Sequence, residues 1–412
     1  MKVSLFYELQ LPRPWNEDSE LKLYEDSLAE LELADQLGYH TVWVTEHHFQ
    51  EEKCHLSCPE VFMGALTQRT QRIRIGHGIA QLPPAINHPI RVAERVATLD
   101  LLSGGRVEFG VGESSSEAEL GGFRVDPGRK QDMVGEATTV AISALADTPF
   151  PGFEGEFVSV PPRNVIPKPL QKPHPPLWLA CSRRETVTRA AESAVGALAF
   201  QFVDPEAATT VVREYYAVLE ERGTPVGRAV NANTAFVSFA VCAPTEDEAW
   251  RRARDHVGFF TYGAKHYAVN GVHKPGVTSM WDGFVAGGRQ GSLGGSSSIG
   301  TPDQVREVFN RFEAAGVDQL SLIVQHGALP HEAVMETIDL IGSKVLPDFV
   351  ERDATASIEK AERLVPVIEK VTARAPAHPK APEDYAFTAP ARAWGSEQAA
   401  VEVLEAIRGL GE

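Results

Sequence analysis

Eight short apolar runs recur along the chain, each separated from the next by an amphipathic helical stretch, and this alternation limits the possible folds more than any other feature. The runs are Val3–Tyr7, Thr41–Thr45, Ile73–Gly78, Val107–Val111, Leu177–Cys181, Ala197–Phe202, Ala235–Val241 and Gln319–Val324. The spacing predicts helices over Leu21–Leu37 (stopped by Gly38), Pro59–Arg69, His88–Leu102, Gln131–Ala146, Arg184–Ser193, Pro205–Arg222, Glu246–Phe260, Pro302–Ala315 and Pro330–Phe349. Strands that alternate with helices require a parallel sheet with right-handed crossovers. Eight repeats predict closure into an α/β barrel of the TIM type. An open doubly wound sheet is the rival.

Some stretches stand outside the repeat. Phe150–Val160 reads as a hairpin and Pro161–Pro176 as a Pro-rich loop. Residues 263–300 are long and Gly/Ser-rich, the pattern of a lid or a disordered loop. Ala373–Trp394 reads as a linker or arm, with a last helix over Ser396–Arg408. The expected division is a barrel over 1–350, with its lid at 263–300, and a C-terminal extension over 351–412. With 39 Lys plus Arg against 56 Asp plus Glu, the formal charge is −17, which argues against nucleic acid and anionic membrane as partners. Four Cys make no disulfide framework, and the apolar opening Met1–Tyr7 is too short for a signal peptide, so a reducing cytoplasm is the expectation.

In such barrels the chemistry sits at the C-terminal ends of the strands. Those ends carry Tyr7-Glu8, Glu46-His47-His48, Gly78-Ile79, Gly112-Glu113, Cys181-Ser182-Arg183-Arg184 and Phe200-Gln201-Phe202. At Cys181–Thr186, Ser182 reads as a helix N-cap with Glu185 three residues on, a capping box that needs no ligand. The same geometry offers a positive helix end and two arginines to a phosphate. His47 reads either as a hydrogen-bonded rim residue or as a proton carrier. The His and Cys residues of Glu46–Cys58 do not match zinc spacings, so no metal is expected. Gly110-Val111-Gly112 is followed by Glu113-Ser114-Ser115, which breaks a dinucleotide fingerprint.

Three blocks resemble the bacterial luciferase-like, flavin-dependent monooxygenases. They are Trp43–Phe49, the run from Gly76–Pro83 through Asn87–Glu94 to Leu99–Arg106, and Gly300-Thr301-Pro302. The resemblance implies an eight-stranded barrel with a mobile loop before the last strand. It implies reduced flavin mononucleotide (FMN) as a diffusible co-substrate from a separate flavin reductase, used with O2, and a homodimer packed through early barrel helices. By position, His47 becomes the catalytic residue, a proton donor or hydrogen-bond partner. Gly78 and Ile79 would pass the flavin ring through a non-prolyl cis peptide. Cys181, Ser182, Arg183, Arg184 and Thr186 would hold the phosphate. Phe200 falls near the ring, and Tyr7, Glu113 and Phe202 join it around a partly apolar substrate.

There are two departures. Glu113 stands where luciferase has a phosphate-contacting Arg, and Gly112 where it has a reactive Cys. Either Arg183, Arg184 or Arg129 supplies the charge, or Glu113 points elsewhere, or the cofactor differs. A deazaflavin-dependent hydride transfer and a non-catalytic flavin-binding protein are the alternatives.

Overall fold

The computed structural model describes residues 1–200, 202–293, 297–387 and 396–409. Eight strands form where the apolar runs predict them: β1 (Lys2–Tyr7), β2 (Thr41–Val44), β3 (Arg74–His77), β4 (Val107–Gly112), β5 (Leu177–Cys181), β6 (Gly196–Ala199), β7 (Thr234–Cys242) and β8 (Gln319–Ile323). Each pairs in parallel with the next, and β8 pairs with β1, Leu322 opposite Leu5, so the sheet closes on itself. Closure removes both sheet edges and excludes the open sheet.

Side chains alternate across the barrel wall with the strand period of two. Along β7, Ala235, Val237, Phe239 and Val241 join an interior cluster, while Phe236, Ala240 and Cys242 pack toward the helices. The same parity corrects one expectation at β1. Phe6 faces the interior, whereas Tyr7 faces the helix layer, where its hydroxyl donates to Glu30 at 2.8 Å. Tyr7 is fully buried there, and burial raises its phenol well above the usual value. Lower in the barrel, Trp43 and Trp178 meet edge to face at 5.2 Å. Neighbouring strands make room with glycine. A Cβ on Gly76 would lie 2.4 Å from the Trp43 ring, and one on Gly196 2.4 Å from the Trp178 ring.

The end of β3 is irregular in a way that matters for the site. Gly76 pairs with Glu108, the chain swings out at Gly78 and Ile79, and pairing resumes with Ala80 opposite Val111. Four steps along one strand therefore oppose three along the other, a β-bulge that re-aims a side chain. The glycines of β4 seat it. A Cβ on Gly110 would lie 2.1 Å from the His77 carbonyl oxygen, and one on Gly112 2.9 Å from Ile79 Cδ1. The Gly-Val-Gly run that fails as a dinucleotide fingerprint serves this close approach instead. The cis peptide bonds among the described residues all precede proline (Arg13-Pro14, Thr148-Pro149, Ile166-Pro167, Lys172-Pro173). The Gly78–Ile79 bond is therefore trans, contrary to the expectation from the resemblance.

Two other expectations change. The segment over 263–300 is not simply a loop. Helix Gly258–Lys265 enters it, a π-helical turn follows at His266–Asn270, helix Met280–Ala286 comes next, and Ser298–Gly300 pairs with β7. Residues 294–296 of that segment lie outside the described residues, as do Gln201 and residues 388–395 of the linker. The helix expected over Pro330–Phe349 breaks at Val345 into His331–Lys344 and Leu346–Thr372. Pro347 sits in the first turn of the second helix, where the missing N–H is harmless. That helix crosses the division drawn after residue 350. It docks on the barrel through buried Phe349, Leu364 and Val371, and Lys360 Nζ lies 2.6 Å from Asp318. Among the described residues, no helix is long and apolar enough to cross a membrane.

Candidate active site

A cavity of about 1000 Å³ opens at the C-terminal ends of the strands. Phe6, Ile79, Val111 and Phe200 give it apolar walls, and Glu8, His47, Gln81 and Glu113 stand at the same level. Phe6 and Phe200 meet edge to face at 4.9 Å. Ile79 reaches this wall because the bulge turns it inward.

His47 stands at the centre of a polar network built from three loops. Its Nδ1 lies 3.0 Å from Glu119 Oε1. The same oxygen accepts from the His48 backbone N–H at 2.9 Å and from Gln81 Nε2 at 2.6 Å. Ser114 donates to the other Glu119 oxygen. The carboxylate at Nδ1 favours a proton on that nitrogen, which also lies 3.1 Å from Gln50 Nε2. Nε2 is then left on the cavity side, 3.8 Å from Glu8 Oε1, too far for a hydrogen bond. Glu46 ties the β2 loop to the segment after the bulge. It accepts from the Gln81 backbone N–H at 2.9 Å and from Asn87 Nδ2 at 2.6 Å, and lies 3.0 Å from His48 Nε2. The other His and Cys of this loop diverge. His55 faces Glu20 at 3.6 Å, Cys54 is buried beside Thr45, and Cys58 is exposed.

Glu119 was not legible as a site residue. Its context, Ser116-Glu117-Ala118-Glu119, reads as a capping box for the short helix Glu117–Gly122. In the fold Ser116 makes no side-chain cap bond, and the fully buried carboxylate turns across the cavity rim to His47. Burial alone would raise the Glu119 carboxyl. The charge of His47 and the bonds from His47, Ser114 and the His48 N–H outweigh burial and hold it at about 2. The folded value lies below the ordinary 4.5, so its stabilisation is present above that pH and is lost as pH falls toward 2. We expect Glu119→Gln to lower stability by about 2 kcal/mol at pH 7, with the gap roughly halved at pH 3. Urea unfolding of both proteins at the two pH values measures this, and a gap that does not narrow would remove the charge argument.

The other end of the cavity meets helix Arg184–Glu192. The cap falls one residue later than expected. Arg183, not Ser182, is the N-cap, its N–H donating to Thr186 Oγ1 at 3.2 Å, and Thr186 takes the role expected of Glu185. Ser182, Arg183 and Thr186 line the cavity. Cys181 does not. It belongs to the outward parity of β5, buried with its thiol donating to Leu179 and Thr186 carbonyls, and burial pushes the thiol up to about 12. Arg184 does not either, because it is drawn to Glu214 across the surface. Arg129 lines the cavity but is held by Glu156 at 2.7 Å and Asp132 at 3.2 Å. Arg183 is joined instead by Arg189, and among the described residues neither has a carboxylate within 4.0 Å. Arg189 was missed, although Thr186, Arg189 and Ser193 share one helix face at i, i+3 and i+7, and all three line the cavity.

Glu113 lies on the cavity wall with Oε2 buried and unpartnered among the described residues. Phe202 leaves the cavity. β6 stops at Ala199, the backbone turns to φ 45° at Phe202, and its ring stacks on Phe239 at 4.6 Å.

Comparison with known proteins adds to this geometry. A family model described as luciferase-like monooxygenase matches residues 10–319. The chain is 29% identical over 184 residues to the oxygenase component of the flavin-dependent trigonelline monooxygenase of Acinetobacter baylyi, a match covering 44% of this chain and 49% of that protein, about half its length. It is 26% identical over 347 residues to limonene 1,2-monooxygenase of Rhodococcus erythropolis, covering 82% and 84%. Two solved structures share the fold. The oxygenating constituent of 3,6-diketocamphane monooxygenase from Pseudomonas putida, in complex with FMN, superposes with TM-score 0.66 at 20% identity, covering 84% of this chain and 98% of that one. An F420-dependent secondary alcohol dehydrogenase superposes with TM-score 0.62 at 17% identity, covering 84% and 98%.

Proposed function

The chain belongs to the luciferase-like monooxygenase family, and from that premise we propose that it is the oxygenase component of a two-component monooxygenase, using reduced FMN and O2 on a partly apolar organic substrate. One observation carries this reading. A single cavity joins Arg183 and Arg189, which have no carboxylate partner among the described residues, to the His47 imidazole, past the side chain that the bulge turns inward.

The residues present fit a reduced flavin mononucleotide. The helix N-terminus with its N-cap Arg183, and Arg189 further along the same helix face, neither with a carboxylate within 4.0 Å among the described residues, suit a phosphate. Gly112, where any Cβ would press on Ile79, keeps the wall beside the bulge flat enough for a ring. Gln81 Oε1 and Glu113 Oε2 are buried acceptors without partners among the described residues, matched to ring N–H groups. Glu113 thus has a use that does not set it against the phosphate. When bound, the reduced flavin supplies the electrons that activate O2. The chain then has three tasks. Arg183 and Arg189 anchor the cofactor, Phe6 and Phe200 hold the apolar part of the substrate, and His47 holds or gives a proton at Nε2 while Glu119 fixes the ring. The helical segment over 258–286 packs on the loop that carries His47, through Glu51 and Glu52, and would serve as the lid that keeps water out. A separate reductase supplying the flavin is supported by the relative named as an oxygenase component.

Anaerobic fluorescence titration tests this. Reduced FMN is expected to bind more tightly than oxidised FMN and than a reduced deazaflavin. Arg189→Gln is expected to weaken reduced FMN about tenfold, roughly 1.4 kcal/mol, and to leave phosphate-free reduced riboflavin unchanged. Preference for the deazaflavin would move the assignment to hydride transfer. Equal losses for FMN and riboflavin would take the phosphate away from this helix.

A further inference from the structure

The loop that carries His47 also carries three consecutive residues, Glu51, Glu52 and Lys53, that each reach the lid segment. Glu51 accepts from the Gly276 backbone N–H at 2.8 Å and lies 3.1 Å from His273 Nε2. Glu52 is fully buried and accepts from the Met280 and Trp281 N–H groups at 2.5 and 3.0 Å, capping helix Met280–Ala286. Lys53 runs beneath Gly263, where an added Cβ would meet its side-chain carbons at 3.4 Å, and its ammonium lies 5.4 Å from the centre of the Phe260 ring. The lid thus seats Lys53, and Lys53 ends 2.9 Å from Glu8 Oε1.

Glu8 is the pivot of the arrangement. It is 6% exposed, its Oε2 has no partner among the described residues, and its Oε1 lies 3.8 Å from His47 Nε2. Two nitrogen groups therefore compete for one buried carboxylate, and the ammonium donates to it at hydrogen-bond distance while the His47 ring stands just beyond. The charged and titratable groups around His47 are Glu8 from the end of β1, Glu119 from helix Glu117–Gly122, and Glu46, His48 and Lys53 from its own loop. Of these, Lys53 meets the lid directly, beneath Gly263 and near the Phe260 ring, and the helix of Glu119 packs on it through Ala118.

We propose that Lys53 is a positioning residue: seated by the closed lid, it holds Glu8 away from His47 and keeps Nε2 free for the cavity. Displacing the lid unseats Lys53, and Glu8 then turns to His47 and accepts from the Nε2–H of the imidazolium, which favours the protonated ring. Lid closure and the readiness of the imidazole are by this route one event. The proposal rests on the role assigned to His47 above, but its test needs neither flavin nor substrate, so the two can fail separately.

The test is an NMR titration of the His47 ring in the full chain, its signal assigned by absence in His47→Gln. With Lys53→Met, Glu8 is released to the imidazolium, and the titration midpoint is expected to rise by about one to three units. Lys53→Arg is expected to restore the wild-type midpoint, which a lost packing contact would not do. Should Lys53→Met fail to fold, Glu8→Gln asks the same question with the opposite sign. The midpoint is then expected to fall by about one unit, because a carboxylate leaves and an ammonium stays. An unmoved midpoint in the folded variant, or Lys53→Arg behaving like Lys53→Met, overturns the proposal.

Discussion

Replacing His47 with alanine is expected to lower oxygenation turnover by about 100-fold or more, the usual worth of a positioned proton-transfer group. Reduced-flavin affinity should stay within about threefold, because the phosphate anchor lies at the far end of the cavity. The expectation rests on geometry rather than on residue type alone. The ring is oriented by Glu119 at 3.0 Å, its second nitrogen lies on the cavity side, and its position is held by a network spanning three loops. Turnover is measured as product formed per reduced flavin consumed on a substrate found by screening, with hydrogen peroxide followed in parallel. If turnover survives within about threefold, roughly 0.6 kcal/mol in barrier, His47 is a structural rim residue and its bond to Glu119 is only packing. The pH profile adds a second reading. Glu119 is held at about 2 and stays ionised through the working range, so an acid limb between about pH 5 and 8 has to come from another group. Loss of that limb in His47→Ala would identify its owner.

Gly110→Ala is expected to be the most damaging single methyl in the barrel, costing about 3 kcal/mol of stability. Its Cβ would lie 2.1 Å from the His77 carbonyl oxygen, which is backbone and cannot swing aside. Relief requires the bulged end of β3 to move away from β4. That same movement withdraws Ile79 from the cavity, so reduced-flavin affinity should fall together with stability. Gly64→Ala is the control. Gly64 lies in helix Pro59–Arg69 with nothing within 4 Å of an added Cβ, and alanine there should be neutral or stabilising by up to about 1 kcal/mol. Urea midpoints of the three proteins measure the contrast. A Gly110→Ala protein as stable as the wild type would mean that the bulge is soft, and the account of the cavity wall would go with it.

Much of the fold was legible because its signals are local. Helices Pro59–Arg69 and Pro205–Arg222 fall where the spacing predicts them, each with proline in its first turn. Strand β5 matches residue for residue. The errors are equally local in cause. β6 ends at Ala199 rather than Phe202, because the turn to positive φ at Phe202 leaves no mark on an apolar run. The Gly/Ser composition of 263–300 hid two helices, since Met280–Ala286 is short and its N-terminus is held by Glu52, a residue 228 positions away.

The site divides along the same line. The residue types that collect at the strand ends are readable along the chain, and His47, Gly78, Ile79, Ser182, Arg183, Thr186, Glu113 and Phe200 do line one cavity. Tertiary structure alone decided which of the candidates face it. One step of parity sends Tyr7 outward and Phe6 inward, and an ion pair with Glu214 takes Arg184 away. It also supplied partners that no window of sequence contains. Glu119 reaches His47 from 72 residues away, and Lys53 reaches Glu8 from 45. Periodicity and capping act over a few residues and so are written along the chain. A hydrogen bond between loops depends on where barrel closure brings those loops, and that is set by the whole ring of strands.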